Sequence, residues 1–161
     1  MSLIAWLAEF QGAHNRARNN ELRAEEMSQY LAKRDELARR LLGAQQLLIT
    51  PGQMPRRALR VSRVLPVQLT LASGVTKANT LDISAGGFAT VLEAPVAPGT
   101  PVPFNLELAA GAPIEGNARV VASKHHGMLH RVALTFHNLP EADHDRLEFA
   151  VFDAVLEIMS S

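Results

Sequence analysis

Two short segments of this sequence combine residue types that bind phosphorylated ligands. The first carries three arginines within five positions, Arg56, Arg57 and Arg60, and the second is the polar run Asp82-Ile83-Ser84-Ala85-Gly86-Gly87. Arginine stays charged at physiological pH, and its planar fork pairs with phosphates and with the edges of bases. In order, the segments read R-x-x-x-R followed by D-x-S-x-x-G, which we interpret as two parts of a ligand-binding site.

The charge distribution favours a small anionic ligand. The chain has 16 Lys and Arg against 16 Asp and Glu, but residues 51–100 carry five against two. This local excess comes mainly from the three arginines of the first segment and from Arg63. It suits a small phosphorylated ligand better than a long nucleic acid, which usually requires a broad basic face.

Length and composition indicate one domain, or one small domain with an extension. The chain has 161 residues, of which 47% are apolar, as is usual for a protein that buries a core. There is no cysteine for disulfides or thiol chemistry. The first ten residues lack the basic region of a signal peptide, and no apolar run approaches the roughly 20 residues that span a bilayer. These features predict a cytoplasmic protein.

Residues 2–48 predict one long helix, which forms an N-terminal extension over residues 1–49. They contain no proline and are rich in Ala, Leu, Glu, Arg and Gln, all good helix formers. A heptad frame with mostly apolar seam positions indicates a helix that packs along much of its length, either on a second copy or on the chain's own β-domain. The apolar residues of its first turns also permit an in-plane membrane anchor, which is the less favoured interpretation.

Two prolines and a glycine within residues 50–55 end this helix, so residues 50–63 are predicted to be a linker that carries the Arg cluster. Over residues 64–138 the apolar pattern changes to a period of two, which is typical of half-buried strands. Six strands are predicted, at residues 67–71, 76–83, 87–93, 101–109, 114–125 and 129–137. This number and spacing predict an antiparallel barrel or sandwich.

Residues 139–161 predict a C-terminal helix. Asn138 followed by Glu141 resembles an N-terminal cap, and residues 147–159 are apolar nearly all round. One apolar stripe can cover the barrel, whereas the surplus needs the N-terminal helix or a second protomer. The predicted fold class is therefore mainly β, a six-stranded antiparallel barrel with flanking N-terminal and C-terminal helices.

With these features together, the sequence resembles the PilZ domain family of bacterial cyclic di-GMP receptors. The resemblance rests on the R-x-x-x-R and D-x-S-x-x-G motifs and extends over about residues 53–138. It includes the strand sequence at residues 131–136, in which Ala133 stands where the family more often has glycine. The resemblance implies a PilZ-like barrel and a receptor that is not an enzyme.

The resemblance also implies a role for most of the motif residues. Arg56 and Arg60 would bind guanine edges and phosphate, Asp82 would accept hydrogen bonds from guanine, and Ser84 would donate to a phosphate oxygen or an exposed backbone carbonyl. Gly87 would permit a turn with positive φ and a close approach of the ligand. The predicted ligand site comprises Arg56, Arg57, Arg60, Asp82, Ser84, Gly86 and Gly87.

Other chemistries are disfavoured. His125, His126, His130 and His137 fall around a predicted hairpin, but without cysteine or a regular helical His pair they do not indicate a zinc site. Ser84 lacks the G-x-S-x-G elbow of a nucleophile, and there is no P-loop or dinucleotide fingerprint. RNA binding would need aromatic platforms near the Arg cluster, which are absent from that part of the sequence. No enzymatic activity, metal or cofactor is predicted.

We therefore expect a cytoplasmic cyclic di-GMP receptor that regulates motility or biofilm formation. Because the Arg cluster precedes the barrel, ligand binding is expected to order residues 51–63 and to re-aim the N-terminal helix, which would change the oligomeric state or partner binding. The two helical regions would contact a protein partner or a second copy. The alternative is an adaptor of the same fold for a motility or secretion system that binds no nucleotide.

Overall fold

The computed structural model describes residues 2–46 and 59–159. The chain divides into two compact units, a helical one that ends at Leu59 and a β-rich one that begins at Arg60. None of the helices in these described ranges is long and apolar enough to cross a membrane.

The helical unit contains two helices, α1 (Leu3–Arg18) and α2 (Ala24–Gln46), where the sequence predicts one. The prediction of a single long helix is therefore wrong. Asn20 adopts a left-handed conformation (φ 56°), and asparagine tolerates this conformation better than most residues. The amide of Glu21 then donates to the carbonyl of Arg16 at 2.8 Å, which closes the turn. The predicted heptad seam is interrupted at this turn.

Aromatic contacts join the two helices. The rings of Phe10 and Tyr30 stack with centroids 5.6 Å apart, and His14 Nδ1 lies 2.6 Å from the Tyr30 hydroxyl oxygen. All three side chains are buried. An ion pair between Arg16 and Glu26 (3.2 Å) lies nearer the turn. These contacts explain why α1 and α2 form a hairpin once the turn at Asn20 interrupts the helix.

The β-rich unit is a closed antiparallel barrel, as the sequence predicts, and it has one additional strand that the sequence does not predict. The order is β1-β3-β2-β5-β6-β7-β4, and pairing of β3 with β4 closes the barrel. Its strands are β1 (Val61–Ser62), β2 (Pro66–Leu71), β3 (Gly74–Ser84), β4 (Gly87–Leu92), β5 (Pro101–Leu106), β6 (Ile114–His126) and β7 (Leu129–His137). The six predicted strands correspond to β2–β7. The short strand β1 lies in the predicted linker and was missed, because two residues are too few to show the alternation of buried and exposed side chains that identifies a strand.

The barrel core follows from the alternation of side chains along each strand. In β2 and β5, buried residues alternate with more exposed ones, as period-two strands require. Three phenylalanines from different strands, Phe88, Phe104 and Phe136, form a cluster with ring centroids 5.2 to 5.8 Å apart. Such clusters contribute both apolar burial and favourable ring contacts.

The C-terminal helix, α3 (Glu141–Met159), packs against β1 and β3. Its buried face includes Leu147, Val151 and Val155, which follow helical spacing. The Arg63 guanidinium pairs with the Glu157 carboxylate, so α3 also holds the segment between β1 and β2.

The buried His14 predicts that stability depends on pH. Burial, with the positive charges of Arg18 and Arg34, lowers the pKa of His14 to about 4. In the unfolded chain the His14 imidazole binds a proton near pH 6.5, whereas in the folded hairpin it stays neutral until about pH 4. The free energy of unfolding should therefore fall as the pH drops from about 6.5 towards 4. Denaturant unfolding followed by the fluorescence of Trp6, which stacks on Phe10, measures this dependence.

His14→Gln is the test variant. His126→Gln is its matched control, because it removes a histidine that is exposed. His14→Gln should flatten the pH dependence over this range, and His126→Gln should keep it. Equal slopes for the wild type and His14→Gln would contradict the assignment.

Candidate functional site

Ser84 organises the turn that joins β3 to β4. Its Oγ accepts hydrogen bonds from the amides of Gly86 and Gly87, each at 3.1 Å, and donates to the Gly87 carbonyl at 3.3 Å. Short hydroxyl side chains commonly stabilise turns in this way. The side chain is buried, so in this structure its hydrogen bonds shape the turn.

Gly87 is required by the packing of the strands. It is absent from the glycines with positive φ, so the predicted left-handed conformation at Gly87 is wrong. A Cβ at this position would instead lie 2.0 Å from the carbonyl oxygen of Leu134 on β7. The neighbouring Gly86 carbonyl accepts from the amide of Phe136 (2.9 Å) and from Thr135 Oγ1 (3.0 Å). Strand β7 therefore holds the turn in place through backbone contact.

A β-bulge determines which way Asp82 points. Thr80 pairs with Thr90 and Asp82 pairs with Ala89, so one extra residue lies between them on β3. Without the bulge, Thr80 and Asp82 would lie on the same face of the sheet. Because of it, Thr80 is buried in the barrel while Asp82 faces outwards and is only half-buried.

The carboxylate of Asp82 is held by Arg131 of β7. Arg131 Nη2 donates to Asp82 Oδ2 at 2.7 Å, and the two residues are 49 positions apart. Arg131 lies in the strand sequence that carries part of the family resemblance, but no role is predicted for it. A basic residue on a strand gives no local signal for a partner so distant, so this residue was missed.

Strand β1 brings the end of the Arg cluster to the β3–β4 turn. Val61 pairs with Ile83 and Ser62 pairs with Asp82. Since Arg60 directly precedes Val61, its backbone lies beside the end of β3, next to Ser84. Arg60 is half-buried. The other two predicted arginines, Arg56 and Arg57, lie outside the described residues.

Thr80 secures this arrangement. Its Oγ1 donates to the Arg63 carbonyl at 2.6 Å and accepts from the Leu65 amide at 2.9 Å. Its own amide donates to the Leu65 carbonyl, also at 2.9 Å. Thr80 thus links β3 to the segment between β1 and β2. It was not identified from the sequence, because a threonine in a strand is common.

These residues form a small polar site at one end of the barrel. It combines the carboxylate of Asp82 and a tight backbone turn with the adjacent backbone of Arg60, whose side chain is positively charged. Such a set can bind a ligand that carries both phosphate and hydrogen-bond donors. It contains no arrangement of nucleophile and base in the described residues.

A cavity lies elsewhere on the β-rich unit. It has a volume of about 710 Å³ and is bounded by the β2–β3 hairpin and the segment after β4, with Leu71, Lys77, Val96 and Leu129 among its lining residues. The β2–β3 hairpin and the β3–β4 turn lie at opposite ends of β3. None of the five predicted site residues that the structure describes lines the cavity.

Two histidine-containing groups also lie outside the site. On the β6–β7 hairpin, the rings of His125 and His130 are 4.8 Å apart. On α3, ligand atoms of His144, Asp145 and Glu148 lie within 4.8 Å of one another. The second group is the one described cluster whose spacing would allow a metal ion, and it was not identified from the sequence.

Comparison with known proteins identifies a family model and structural relatives. A family model described as PilZ domain matches residues 55–153. The fold is similar to the PilZ domain of YcgR from Escherichia coli, with a TM-score of 0.57, 17% identity, and coverage of 66% of this chain and 96% of that one. No curated protein matches the sequence.

Two longer proteins have a similar fold over part of their length. MrkH of K. pneumonia has a TM-score of 0.60 at 19% identity, with coverage of 67% of this chain and 56% of that one. MotI/DgrA of Bacillus subtilis has a TM-score of 0.58 at 21% identity, with coverage of 65% and 53%. The chain therefore spans about half the length of these two relatives, and at such identities the likeness shows the fold alone.

The close contact at Gly87 predicts a large effect of adding a single methyl group. Gly87→Ala must displace the backbone of β4 or β7, and overpacking of this kind costs about 1–3 kcal/mol. Differential scanning calorimetry should show a lowered melting temperature.

Gly43→Ala is the matched control, because Gly43 lies within α2 and a Cβ there meets nothing within 4 Å. Alanine in a helix interior is favoured over glycine by up to about 1 kcal/mol. Unchanged stability of Gly87→Ala would contradict the packing argument.

Proposed function

The chain belongs to the PilZ domain family, and on this basis we propose that it is a receptor for cyclic di-GMP. The related PilZ domain of YcgR and the related MrkH have each been solved with c-di-GMP. The observation that carries the proposal here is the pairing of β1 with β3, which places Arg60 beside the D-x-S-x-x-G turn. Arg60, the last residue of the first motif, thereby lies next to the second motif at one end of the barrel.

The chemistry of the site suits the two halves of this ligand. Cyclic di-GMP has phosphates that pair with guanidinium groups and guanines that present acceptors at O6 and N7. In the proposal, Arg60, with Arg56 and Arg57, binds these acceptor groups. Asp82 accepts from the donors on the Watson–Crick edge of guanine.

The turn at Ser84 has a supporting role in the proposal. Its backbone is held by hydrogen bonds from Ser84 and by β7, so Gly86 and Gly87 are preorganised close to Asp82. A rigid backbone lowers the entropy lost on binding. No catalytic step is assigned to the site.

The proposed output is a change in the helical unit. The ligand would bind the segment that carries Arg56, Arg57 and Arg60 and would thereby alter the orientation of the helical hairpin, self-association or the binding of a protein partner. A cytoplasmic location and a role in motility or biofilm formation are parts of the same proposal.

Isothermal titration calorimetry tests the binding. We expect the wild type to bind cyclic di-GMP selectively over GTP and cyclic di-AMP. Arg60→Ala should weaken binding at least tenfold, since a hydrogen bond to a charged group contributes about 1.5–3 kcal/mol. Arg119→Ala is the matched control, because Arg119 is an exposed arginine on β6, and it should bind like the wild type.

If the wild type binds no cyclic di-GMP, the receptor proposal is wrong and the nucleotide-independent adaptor becomes the better interpretation. If Arg60→Ala and Arg119→Ala bind equally well, the assignment of Arg60 is wrong.

Hydrogen exchange tests the proposed output separately. Amides within residues 51–60 should exchange more slowly when cyclic di-GMP is bound, because the ligand would contact Arg56, Arg57 and Arg60. Unchanged exchange throughout residues 1–63, in a sample that calorimetry shows to be saturated, would overturn the switch and leave binding intact.

A further inference from the structure

The Arg131–Asp82 ion pair joins the second motif to a residue that lies outside both motifs. Arg131 uses only Oδ2 of Asp82, at 2.7 Å. The other carboxylate oxygen, Oδ1, accepts no hydrogen bond from the part of the chain that the structure describes. The Asp82 side chain is 18% exposed, and Oδ1 is not among the buried polar atoms of the described residues that lack a partner, so this oxygen is accessible to solvent. A solvent-accessible carboxylate oxygen that the described residues leave unused can accept hydrogen bonds from a ligand.

The sheet register explains how Arg131 reaches Asp82 across β4. Asp82 lies opposite Ala89, and Ala89 lies opposite Ala133, so the three residues form a row across β3, β4 and β7. Arg131 is two positions from Ala133 and therefore lies on the same face. The alanines in this row have small side chains, so the Arg131 side chain can pass diagonally over β4.

We propose that Arg131 is a positioning residue for guanine recognition, an inference that rests on the receptor function proposed above. By binding Oδ2, Arg131 holds the carboxylate in one orientation, with Oδ1 directed to the donors of the guanine base. Guanine carries an imino N–H and an exocyclic amino group on this edge. A single fixed acceptor distinguishes such a base from one that lacks these donors, because the wrong base leaves Oδ1 unpaired.

The experiment compares cyclic di-GMP with cyclic di-IMP, which lacks the exocyclic amino group, on the full chain. In the wild type we expect tighter binding of cyclic di-GMP by about tenfold or more, the typical consequence of losing a charge-assisted hydrogen bond. In Arg131→Met the affinity for cyclic di-GMP should fall towards that for cyclic di-IMP, while the affinity for cyclic di-IMP changes little. Arg131→Lys should restore part of the preference, and Arg119→Met, at an exposed site on β6, should retain all of it.

A double-mutant cycle assigns the effect to the pair. In the background of Asp82→Asn, the further change Arg131→Met should not alter the preference for cyclic di-GMP, since contacting residues that act together are not additive. An additional loss in this background would show that Arg131 acts independently of Asp82 and would overturn the inference.

The other outcomes are also decisive. If Arg131→Met weakens both ligands by the same factor, Arg131 has only a structural role. If it strengthens binding of cyclic di-GMP, Arg131 competes with the ligand for Asp82. Either result overturns the positioning role while the receptor function stands. A wild type that binds neither ligand overturns the receptor function itself, and the inference with it.

Discussion

The pairing of β1 with β3 is the interaction on which the candidate site depends. Strand β1 has only two residues, and strands this short are not stable without neighbouring structure. Thr80 supplies that structure, because its side chain bonds to the backbone on both sides of Val64 and is itself buried. Breaking these bonds would leave buried polar groups unsatisfied, which costs more than the bonds contribute. The position of Arg60 beside the β3–β4 turn therefore follows from a buried threonine.

The D-x-S-x-x-G motif separates into structural and recognition roles. Ser84 uses its hydrogen bonds within the turn, and Gly87 allows β4 to approach the Leu134 carbonyl. Asp82 is the motif residue whose side chain faces outwards, and Arg131 binds only Oδ2 of its carboxylate. The motif thus shapes a rigid turn and places one carboxylate at its edge, which is the division of roles that a preorganised binding site requires.

In the helical unit, the local sequence pattern correctly predicts helical residues but wrongly predicts that they form one helix. The composition of residues 2–46 favours helix, and nearly all of them are helical. The pattern does not reveal the turn at Asn20, since asparagine in a helix lowers stability only slightly and gives no strong stop signal. The deciding contacts are those of Phe10 and His14 with Tyr30, which form between distant positions. They stabilise two antiparallel helices where the local pattern favours one.

Local physical chemistry allowed the sequence by itself to determine the strands β2–β7, the C-terminal helix and the turn at residues 84–87, and to suggest the residue types of the candidate site. Strand period, turn residues and helix formers act over a few neighbouring positions, so a single chain displays them. The tertiary structure alone decided the outward direction of Asp82, the register of β1 and the partnership of Asp82 with Arg131. These depend on a bulge and on pairings between positions as many as 49 residues apart, and no local pattern records which distant side chains will meet.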